Sequence, residues 1–442
     1  MKKFNVFQAV VLGGFVIFLL IGFLGFSGKI PFPSGSKDVN YGEVVLWGTI
    51  PSSIMQSTIS EKVRTDQNVI IKYIEKNRET FTRDFVEAVA SGNAPDLILV
   101  AQDEILSNAN KLSLIPYQSV TERVFKDTFI EEGELFLQKD GIVALPLTID
   151  PLIMYWNRDI FTNERIASPP SLWDGFYGLA TRISLRDQKG NIARSFVAFG
   201  EYNNVSNAKE ILSTLIMQAG KPIVALKDGF LTASLARDGN TEGTNERGNA
   251  EDALFFFTQF SKTDKVSYSW NRSLPSSRSM FEEGNLALYF GYASEYASIV
   301  NRNPHLNFDI AVIPQAGKYA TKTTFGRMQG IAIVKASQKQ AGAMYATGIL
   351  SNKEFVGALA EKMNLPPVRR DLISIRPTDA VFATLYDSAL IARAWYDPDT
   401  KATDQIFRTL IENIVSGRTN INQSLFVAQS SIDGLLKQYQ NR

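Results

Sequence analysis

The sequence predicts an α/β fold with two hinge-linked lobes, a helical C-terminal part and one N-terminal transmembrane helix in front of the folded region. Apolar runs that alternate with amphipathic patterns indicate a parallel sheet with helices on both faces. Residues 141–161 contain two apolar runs, 142–147 and 152–156, which are separated by a polar and constrained set. This segment is typical of a crossing between two lobes, and the rest of the chain is expected to divide around it.

The composition restricts the chemistry that the chain can carry. Its 442 residues are 45% hydrophobic and 21% charged, which suits roughly two or three domains with substantial cores. The formal net charge is +1 and the two signs are interspersed, so no basic face for nucleic acid is indicated. Cysteine is absent and histidine occurs once, which excludes disulfides, thiol nucleophiles and cysteine-type zinc sites. We expect no cofactor, no metal and no nucleic-acid partner.

The N-terminus carries a localisation signal. Lys2 and Lys3 precede an uncharged apolar run at 6–26, close to the roughly 20 residues of a membrane-spanning helix. The lysines are expected on the cytoplasmic side and the rest of the chain outside, with residues 1–27 as a signal anchor and 28–40 as a linker. The alternative is a secreted protein whose signal peptide is cleaved. The retained anchor is favoured because the residues around Ser27 make a poor cleavage site.

Strands alternate with helices before the crossing. The patterns predict three strands with two helices between them, at 44–47, 57–66, 69–74, 81–89 and 97–100. In parallel sheets of this kind, ligands meet the carboxyl ends of the strands. Trp47 and Thr49 end the first predicted strand and Asp103 follows the third, so all three are candidates for a ligand site.

The chain after the crossing mixes helices and strands and then becomes helical. The patterns predict helices at 207–219 and 252–260, strands at 286–290, 308–313 and 331–334, and mostly helix from there to residue 442. This order fits a chain that leaves one lobe and later returns to it.

Several motifs occur in an order that is found in one known family. Residues 90–96 (ASGNAPD) resemble its A-S-G-x-x-P-D turn, and residues 141–161 resemble its G-x-x-x-x-L-P crossing followed by Y-N-K-D-x-F. Residues 169–173 resemble P-P-x-T-W, and residues 281–288 resemble F-x-x-G-x-x-A-M. The chain therefore resembles the extracellular solute-binding proteins of ABC importers, family 1, which is the maltose-binding-protein-like group.

The resemblance implies a periplasmic-binding-protein-like fold of type II that closes over a ligand. Lobe 1 would comprise residues 41–149 and 308–350, and lobe 2 would comprise residues 150–307 and 351–442. The implied function is that of an extracytoplasmic solute-binding component of an ABC importer, which binds a sugar or oligosaccharide in the cleft and is not an enzyme. Its partners would be the permease subunits, and the protein would be a monomer held to the cell membrane by its N-terminal helix.

Polar candidates for ligand contact lie on both sides of the crossing. A carboxylate between two apolar runs should lie at a surface, an ion pair or a cleft, and Asp150 also matches the family's crossing carboxylate. Asp103 is similar to a position that maltose-type members use for sugar hydroxyls, with a solvated loop acid as the alternative. Tyr292 and Glu295 follow a predicted strand where the family places an aromatic contact, although the usual Trp is absent there.

Two aromatic rings and one arginine complete the candidate set. Sugar rings stack on aromatic faces, which makes Trp47 a candidate, with a position in the core as the alternative. Trp270 lies in a loop before the 286–290 strand and could supply the missing ring, although simple packing would explain it equally well. Arg327 approaches the 331–334 strand from the cleft side.

Two other functions stay open at this stage. A glycosidase would need two carboxylates, and Asp103 and Asp150 could serve as that pair. A two-lobed sensor or adhesion module would use the same fold to signal to a partner, and a retained anchor is compatible with that role. Neither alternative explains the order of the motifs, so the importer component is preferred.

Overall fold

The structure is a computed structural model that describes residues 40–63, 68–236, 249–317 and 320–440. The predicted anchor at 1–27 and nearly all of the predicted linker lie outside these ranges. None of the helices within these ranges is long and apolar enough to cross a membrane.

The described residues form fifteen strands, which we label in chain order. They are β1 (Gly42–Gly48), β2 (Val69–Glu75), β3 (Leu97–Ala101), β4 (Leu112–Ser113), β5 (Leu137–Gln138), β6 (Gly141–Ile142), β7 (Ala144–Asn157), β8 (Leu185–Arg186), β9 (Ile192–Val197), β10 (Val224–Lys227), β11 (Phe230–Ala233), β12 (Leu286–Tyr292), β13 (Phe308–Ala311), β14 (Thr324–Val334) and β15 (Ala392–Arg393).

The α-helices of the described residues are labelled in the same way. They are α1 (Ser52–Lys62), α2 (Phe81–Ala90), α3 (Ile105–Asn108), α4 (Glu122–Thr128), α5 (Arg158–Asn163), α6 (Phe176–Ile183), α7 (Ala208–Gln218), α8 (Asn249–Thr258), α9 (Ser277–Glu282), α10 (Tyr296–Arg302), α11 (Gln340–Leu350), α12 (Lys353–Met363), α13 (Arg370–Ile373), α14 (Ala380–Leu390), α15 (Thr400–Val415) and α16 (Ile421–Gln440).

One hydrogen-bonded sheet runs through both lobes. Its strand order is β2-β1-β3-β14-β7-β12-β9-β8, with β13 also on β7, and with β4 and β15 on β14. The first three strands are parallel, as the sequence predicts for an alternation of strands and helices. The strands β14 and β7 lie at the centre of this order and join the two halves of the sheet.

The crossing segment forms one strand rather than two. The sequence predicts a break at residues 148–151, but β7 runs unbroken for 14 residues. Its first half pairs with β14 as far as Pro151, and its second half pairs with β12 from Leu152 onward. Proline has no N–H to donate to a ladder, and Pro151 lies where the pairing partner changes. The strand therefore continues through the proline and links the lobes.

Each lobe has its own hydrophobic core. Leu46, Val100 and Ile331 are fully buried in the first, and Phe176 and Phe199 are fully buried in the second. Burial of such a side chain contributes about 1.5–3 kcal/mol, so both cores stabilise the fold.

Two segments pack differently from the predicted lobe ranges. Strand β13, which was assigned to lobe 1, pairs with the second half of β7. Its Ile310 is buried in the second core. Helix α12, which was assigned to lobe 2, buries Phe355 and Leu359 in the first core. The chain returns to lobe 1 along β14, so the return occurs later than the predicted boundary at residue 308.

Candidate functional site

Two antiparallel strands form the connection between the lobes, and we call residues 148–151 of β7 with 326–329 of β14 the hinge ribbon. Arg327 is opposite Asp150, and Gln329 is opposite Thr148. Side chains alternate along a strand, so these four polar residues share one face of the ribbon. Their neighbours, of which Met328 is fully buried, lie on the other face. The polar face is the floor of the cleft between the lobes.

The carboxyl end of β1 forms one edge of this floor. Thr49 accepts a hydrogen bond at its Oγ1 from Nε2 of Gln329, with 3.2 Å between the atoms. Trp47 is half-buried, and the Nζ of Lys76 lies 3.6 Å from its ring centroid. One face of this indole is therefore covered by a cation.

The carboxyl end of β3 fixes the hinge ribbon to lobe 1. Gln102 is buried, donates from Nε2 to the Gly326 carbonyl at 3.2 Å and accepts at Oε1 from the Met328 N–H at 2.8 Å. The side chain thus satisfies two backbone groups of β14. The sequence places this residue at the carboxyl end of the third predicted strand, but it is not among the predicted site residues, and its position directly after a buried strand is the only local signal of its role.

Asp103 reaches across the cleft. Its Oδ2 accepts a hydrogen bond from Oγ1 of Thr400, the first residue of α15, at 3.1 Å. Thr403 and Phe407 of the same helix pack within lobe 2, so this bond bridges the two lobes. Next to Asp103, burial and then the Asp103 carboxylate raise the pKa of Glu104 to about 7.

Tyr292 ends β12 on the lobe 2 side. The side chain is 2% exposed, and its hydroxyl has no hydrogen-bond partner among the described residues. The Cζ of Arg327 lies 4.0 Å from the centroid of the Tyr292 ring, so the guanidinium covers one ring face. Cation–π contacts of this kind contribute about 0.5–2 kcal/mol, depending on desolvation.

Asp150 is held by lobe 2 rather than by the arginine opposite it. Its Oδ1 accepts a hydrogen bond from the Ser294 N–H at 2.9 Å. Burial raises the pKa of Asp150, and the hydrogen bond from Ser294 and the charge of Arg327 partly oppose that shift. The carboxyl group can therefore act as an acceptor or, when protonated, as a donor.

The carboxylate of Glu295 is bonded to donors of its own lobe. Its carboxylate accepts hydrogen bonds from Tyr289 Oη at 2.6 Å, from the Tyr292 N–H at 2.8 Å and from Asn207 Nδ2 at 3.2 Å, and it forms an ion pair with Arg278 at 3.3 Å. These four donors account for most of its capacity to accept. The geometry supports a role in fixing the turn after β12 rather than the predicted ligand contact.

The predicted cleft position of Trp270 is not what the structure shows. The indole is fully buried in the second core, and its Nε1 donates to Asn204 Oδ1 at 3.0 Å. The backbone N–H of Trp270 also bonds to the Phe260 carbonyl, which pins the loop against lobe 2. A ring in this position cannot stack on a ligand in the cleft.

Sequence reasoning also missed a buried ion pair beside the cleft. Lys209 of α7 donates to Asp397 Oδ2 at 2.8 Å, and Thr403 of α15 bonds to both residues. The Asp103 carboxylate acts electrostatically on both members of the pair, which places it next to the cleft. The partners are 188 positions apart, and no local pattern connects them.

The structure therefore brings together most of the predicted site residues but not all of them. Asp150 and Arg327 lie on the floor, Thr49 and Asp103 lie at the lobe 1 edge, and Tyr292 lies at the lobe 2 edge. Trp47 borders the site with one face covered, Glu295 supports it from behind, and Trp270 lies elsewhere. The floor presents a guanidinium and a carboxyl group, and Tyr292, whose hydroxyl is buried, lies against the guanidinium.

Comparison with known proteins identifies the class. Residues 61–358, more than half of the chain, match the family of bacterial extracellular solute-binding proteins. The chain belongs to that family, which confirms the solute-binding function that the sequence predicts. It is similar to a binding protein of Brucella abortus, with 21% identity over 355 residues that make up 79% of each chain.

Two solved structures are similar over nearly their whole length. The cyclic alpha-maltosyl-1,6-maltose binding protein from Arthrobacter globiformis has a TM-score of 0.72 and 15% identity, covering 90% of this chain and 99% of that one. The maltose-binding periplasmic protein from Listeria monocytogenes has a TM-score of 0.69 and 16% identity, covering 90% of this chain and 98% of that one. These similarities confirm the predicted two-lobed periplasmic-binding-protein-like α/β fold.

Proposed function

We propose that this protein is the extracytoplasmic solute-binding component of an ABC importer and that its solute is a sugar or short oligosaccharide. The observation that carries the proposal is the polar floor of the cleft, where Arg327, Asp150 and the unpartnered hydroxyl of Tyr292 lie together. Hydroxyl groups both donate and accept, so a polyol can satisfy all three. The two solved structures above, one of a cyclic alpha-maltosyl-1,6-maltose binding protein and one of a maltose-binding protein, support a sugar.

The proposed contacts come from both lobes and from the hinge ribbon. Thr49 and Asp103 supply oxygens from lobe 1, Asp150 and Arg327 supply the floor, and Tyr292 supplies a hydroxyl from lobe 2. Ligand binding would favour the closed arrangement because only that arrangement brings all five to one solute. The hydrogen bond between Asp103 and Thr400 would form part of the same closure.

The location and the partners follow from the N-terminus and the family. Lys2, Lys3 and the apolar run at 6–26 support a single-pass anchor in the cell membrane with the binding region outside the cytoplasm. The permease subunits of the importer would bind the closed form of a monomer. Mass spectrometry of the mature protein tests the anchor, because a chain that begins near Ser27 would show cleavage instead.

A ligand screen with a matched pair of variants tests the binding function. Thermal shift with a panel of monosaccharides, oligosaccharides and polyols should give at least one stabilising ligand. Asp150→Asn should weaken its binding by roughly tenfold to a hundredfold, since a hydrogen bond to a charged group is worth about 1.5–3 kcal/mol. Asp140→Asn, at an exposed position, is the control and should leave ligand binding unchanged. Hydrolysis of a saccharide without any stabilisation would contradict the proposal and favour the glycosidase.

A further inference from the structure

We infer that the buried ion pair of Lys209 and Asp397 is a positioning pair for the contact between the lobes. It holds Thr400, the first residue of α15, where the hydroxyl of that residue reaches Asp103 of lobe 1. The inference rests on the proposed function, because it concerns the closure that this function requires. Three observations carry it: the bonds of the ion pair, the attachment of helix α7 to the hinge strand, and the exposure of the contact between the lobes.

The ammonium group of Lys209 uses all of its donors inside lobe 2. Its Nζ donates to Asp397 Oδ2 at 2.8 Å. It also donates to the Thr400 carbonyl oxygen at 3.3 Å and to Thr403 Oγ1 at 3.3 Å. An ammonium group has three N–H donors, and Lys209 is 6% exposed, so no donor is left for a solute. One acceptor belongs to Thr400 itself, so the lysine fixes the backbone of the residue that bonds across the cleft.

Asp397 organises the first turn of α15. Its Oδ1 accepts from the Asp399 N–H at 3.1 Å, and both of its oxygens are 2.9 Å from Thr403 Oγ1. Asp399 in turn accepts from the N–H groups of Lys401 and Ala402, which caps the helix. The ion pair and the cap therefore form one continuous set of bonds around the start of α15.

Helix α7, which carries the lysine, is also bonded to the hinge strand β14. Thr214 Oγ1 accepts from the Phe325 N–H at 3.1 Å, and Gln218 Nε2 donates to the Thr323 carbonyl oxygen at 2.6 Å. Phe325 directly precedes the hinge ribbon, so β14 enters the ribbon already fixed to α7. Because α7 is one continuous helix, Lys209 connects the start of α15 rigidly to the hinge strand.

A neutral contact already docks the chain before α15 on α7. Trp395 Nε1 donates to Ser213 Oγ at 3.2 Å, and the indole is 5% exposed in the second core. The ion pair is therefore not needed for docking alone. A buried ion pair often stabilises a protein no more than a well-packed apolar pair of similar volume does. The bonds of the ion pair instead determine where Thr400 lies relative to lobe 1.

The hydrogen bond between Thr400 and Asp103, which we call the interlobe bond, depends on such positioning because it is exposed. Thr400 is exposed and Asp103 is half-buried, so water competes for both groups. An exposed bond gains little free energy when both partners must first be ordered. Since Lys209 holds the backbone of Thr400, only the two side chains remain to be ordered, and the interlobe bond forms more often.

Distances between spin labels in the full chain, measured without a solute, test the inference. The chain has no cysteine, so Glu87→Cys and Gln438→Cys, at exposed positions of α2 and α16, place one label on each lobe. Thr400→Val should shift the distribution of label distances, because the interlobe bond is lost. The pair variant, Lys209→Met with Asp397→Asn, should give the same shift, because Thr400 is no longer held in place.

A combined variant separates positioning from stability. When Thr400→Val is added to the pair variant, the label distances should shift no further. The melting temperature of the pair variant should stay within about 2 °C of the wild type, whereas Lys209→Met alone should lower it, because the Asp397 carboxylate then stays buried without its cation. The control is Glu61→Gln with Lys362→Met, which removes a 3.0 Å ion pair at the surface of lobe 1 and should leave the label distances unchanged.

A milder variant guards against misfolding of the pair variant. Thr403→Val removes only the hydroxyl that both members of the ion pair share, and should shift the label distances in the same direction as Thr400→Val. Distances that shift in Thr400→Val but stay unchanged in the pair variant would overturn the inference. Additive shifts in the combined variant, or no shift in Thr400→Val, would also overturn it. The absence of saccharide binding would instead remove the proposed function and would leave these distances as they are.

Discussion

The acids that border the hinge differ between the two lobes. In lobe 2, Glu295 accepts from four donors of its own lobe. In lobe 1, the Asp103 side chain has one hydrogen bond among the described residues, and its donor is Thr400 of the other lobe. Glu132 is 2% exposed and has no partner for either oxygen among the described residues. The lobe 2 acid is therefore satisfied within its own lobe, and these two lobe 1 acids are not.

This difference suggests that the two lobes have different roles in ligand binding. The network of Glu295 fixes the turn that carries Tyr292 and Ser294 whether or not the cleft is closed. Asp103 completes its bonding only when lobe 2 approaches. Lobe 2 should therefore present a preformed half of the site, and lobe 1 should contribute through closure.

The largest expected effect comes from breaking the lobe 2 network. Glu295→Ala leaves the buried hydroxyl of Tyr289 and the backbone N–H of Tyr292 without their acceptor, while Arg278 keeps its bond to Glu282. Because unsatisfied buried groups cost about 1–3 kcal/mol each, the free energy of unfolding should fall by roughly 3 kcal/mol or more. Urea denaturation measures this free energy of unfolding. Asp103→Ala should change the free energy of unfolding by less than about 1 kcal/mol. Equal losses in the two variants would show that the acids of the two lobes do not differ in their contribution to stability.

The pH dependence of stability should come from lobe 1. Glu132 packs against Gly326 of the hinge ribbon, where any Cβ would collide with its carboxyl group. Burial raises the pKa of Glu132 from 4.5 to about 8. The native state therefore keeps a proton between these values after the unfolded state has lost it, so stability falls as pH rises through this window.

Glu132 should give the pH profile of stability a steep slope. The slope should approach 1.4 kcal/mol per pH unit inside the window, or about 2 kcal/mol between pH 6 and 7.5. Glu132→Gln, which cannot titrate, should make the profile measured by urea denaturation less steep and leave the contribution of Glu104, whose pKa is raised to about 7. Glu131→Gln, at the exposed neighbouring position, should retain it. A wild-type profile that is flat over this range would show that Glu132 is solvated or paired in solution.

The hydrogen bond between Thr400 and Asp103, which joins the two lobes, should affect ligand binding more than folding. Asp103→Ala removes the acceptor for Thr400, and Thr400→Val removes the donor from the other lobe. Each should weaken the best ligand of the screen by about tenfold, or 1.4 kcal/mol, and small-angle scattering with ligand should show a larger share of open molecules. Asp127→Ala, at an exposed position on α4, is the control. A variant that binds normally would remove Asp103 from closure.

The fold and the strand ends could be predicted because their signals are local. Apolar runs mark β1 and β3, and the residues that follow a strand in such a sheet must reach its carboxyl edge, which explains Thr49 and Asp103. Asp150 was predictable because an acid between apolar runs needs an exposed or paired position. The continuous strand β7 was not predictable, since the break expected at Pro151 is avoided by a change of pairing partner.

The remaining features depend on contacts between distant parts of the chain. Lys209 and Asp397 are 188 positions apart, and neither is marked by its neighbours. Trp270 lies in a loop whose sequence fits exposure or burial, and its position is decided by the bonds to Asn204 and Phe260. The burial of Glu132 likewise depends on Gly326, which leaves space for it only after the chain has crossed between the lobes twice.

The smallest expected effect tests the lobe 1 edge by itself. Thr49→Val keeps the shape of the side chain and removes the oxygen that accepts from Gln329. The edge is part-buried and a neutral hydrogen bond is worth about 0.5–1.5 kcal/mol, so affinity should fall by roughly twofold to tenfold with little change in unfolding. Thr128→Val, whose exposed hydroxyl bonds only within α4, should bind normally in the same titration. A loss at Thr49 larger than that at Tyr292 would reverse the comparison, because lobe 1 would then hold the preformed half of the site.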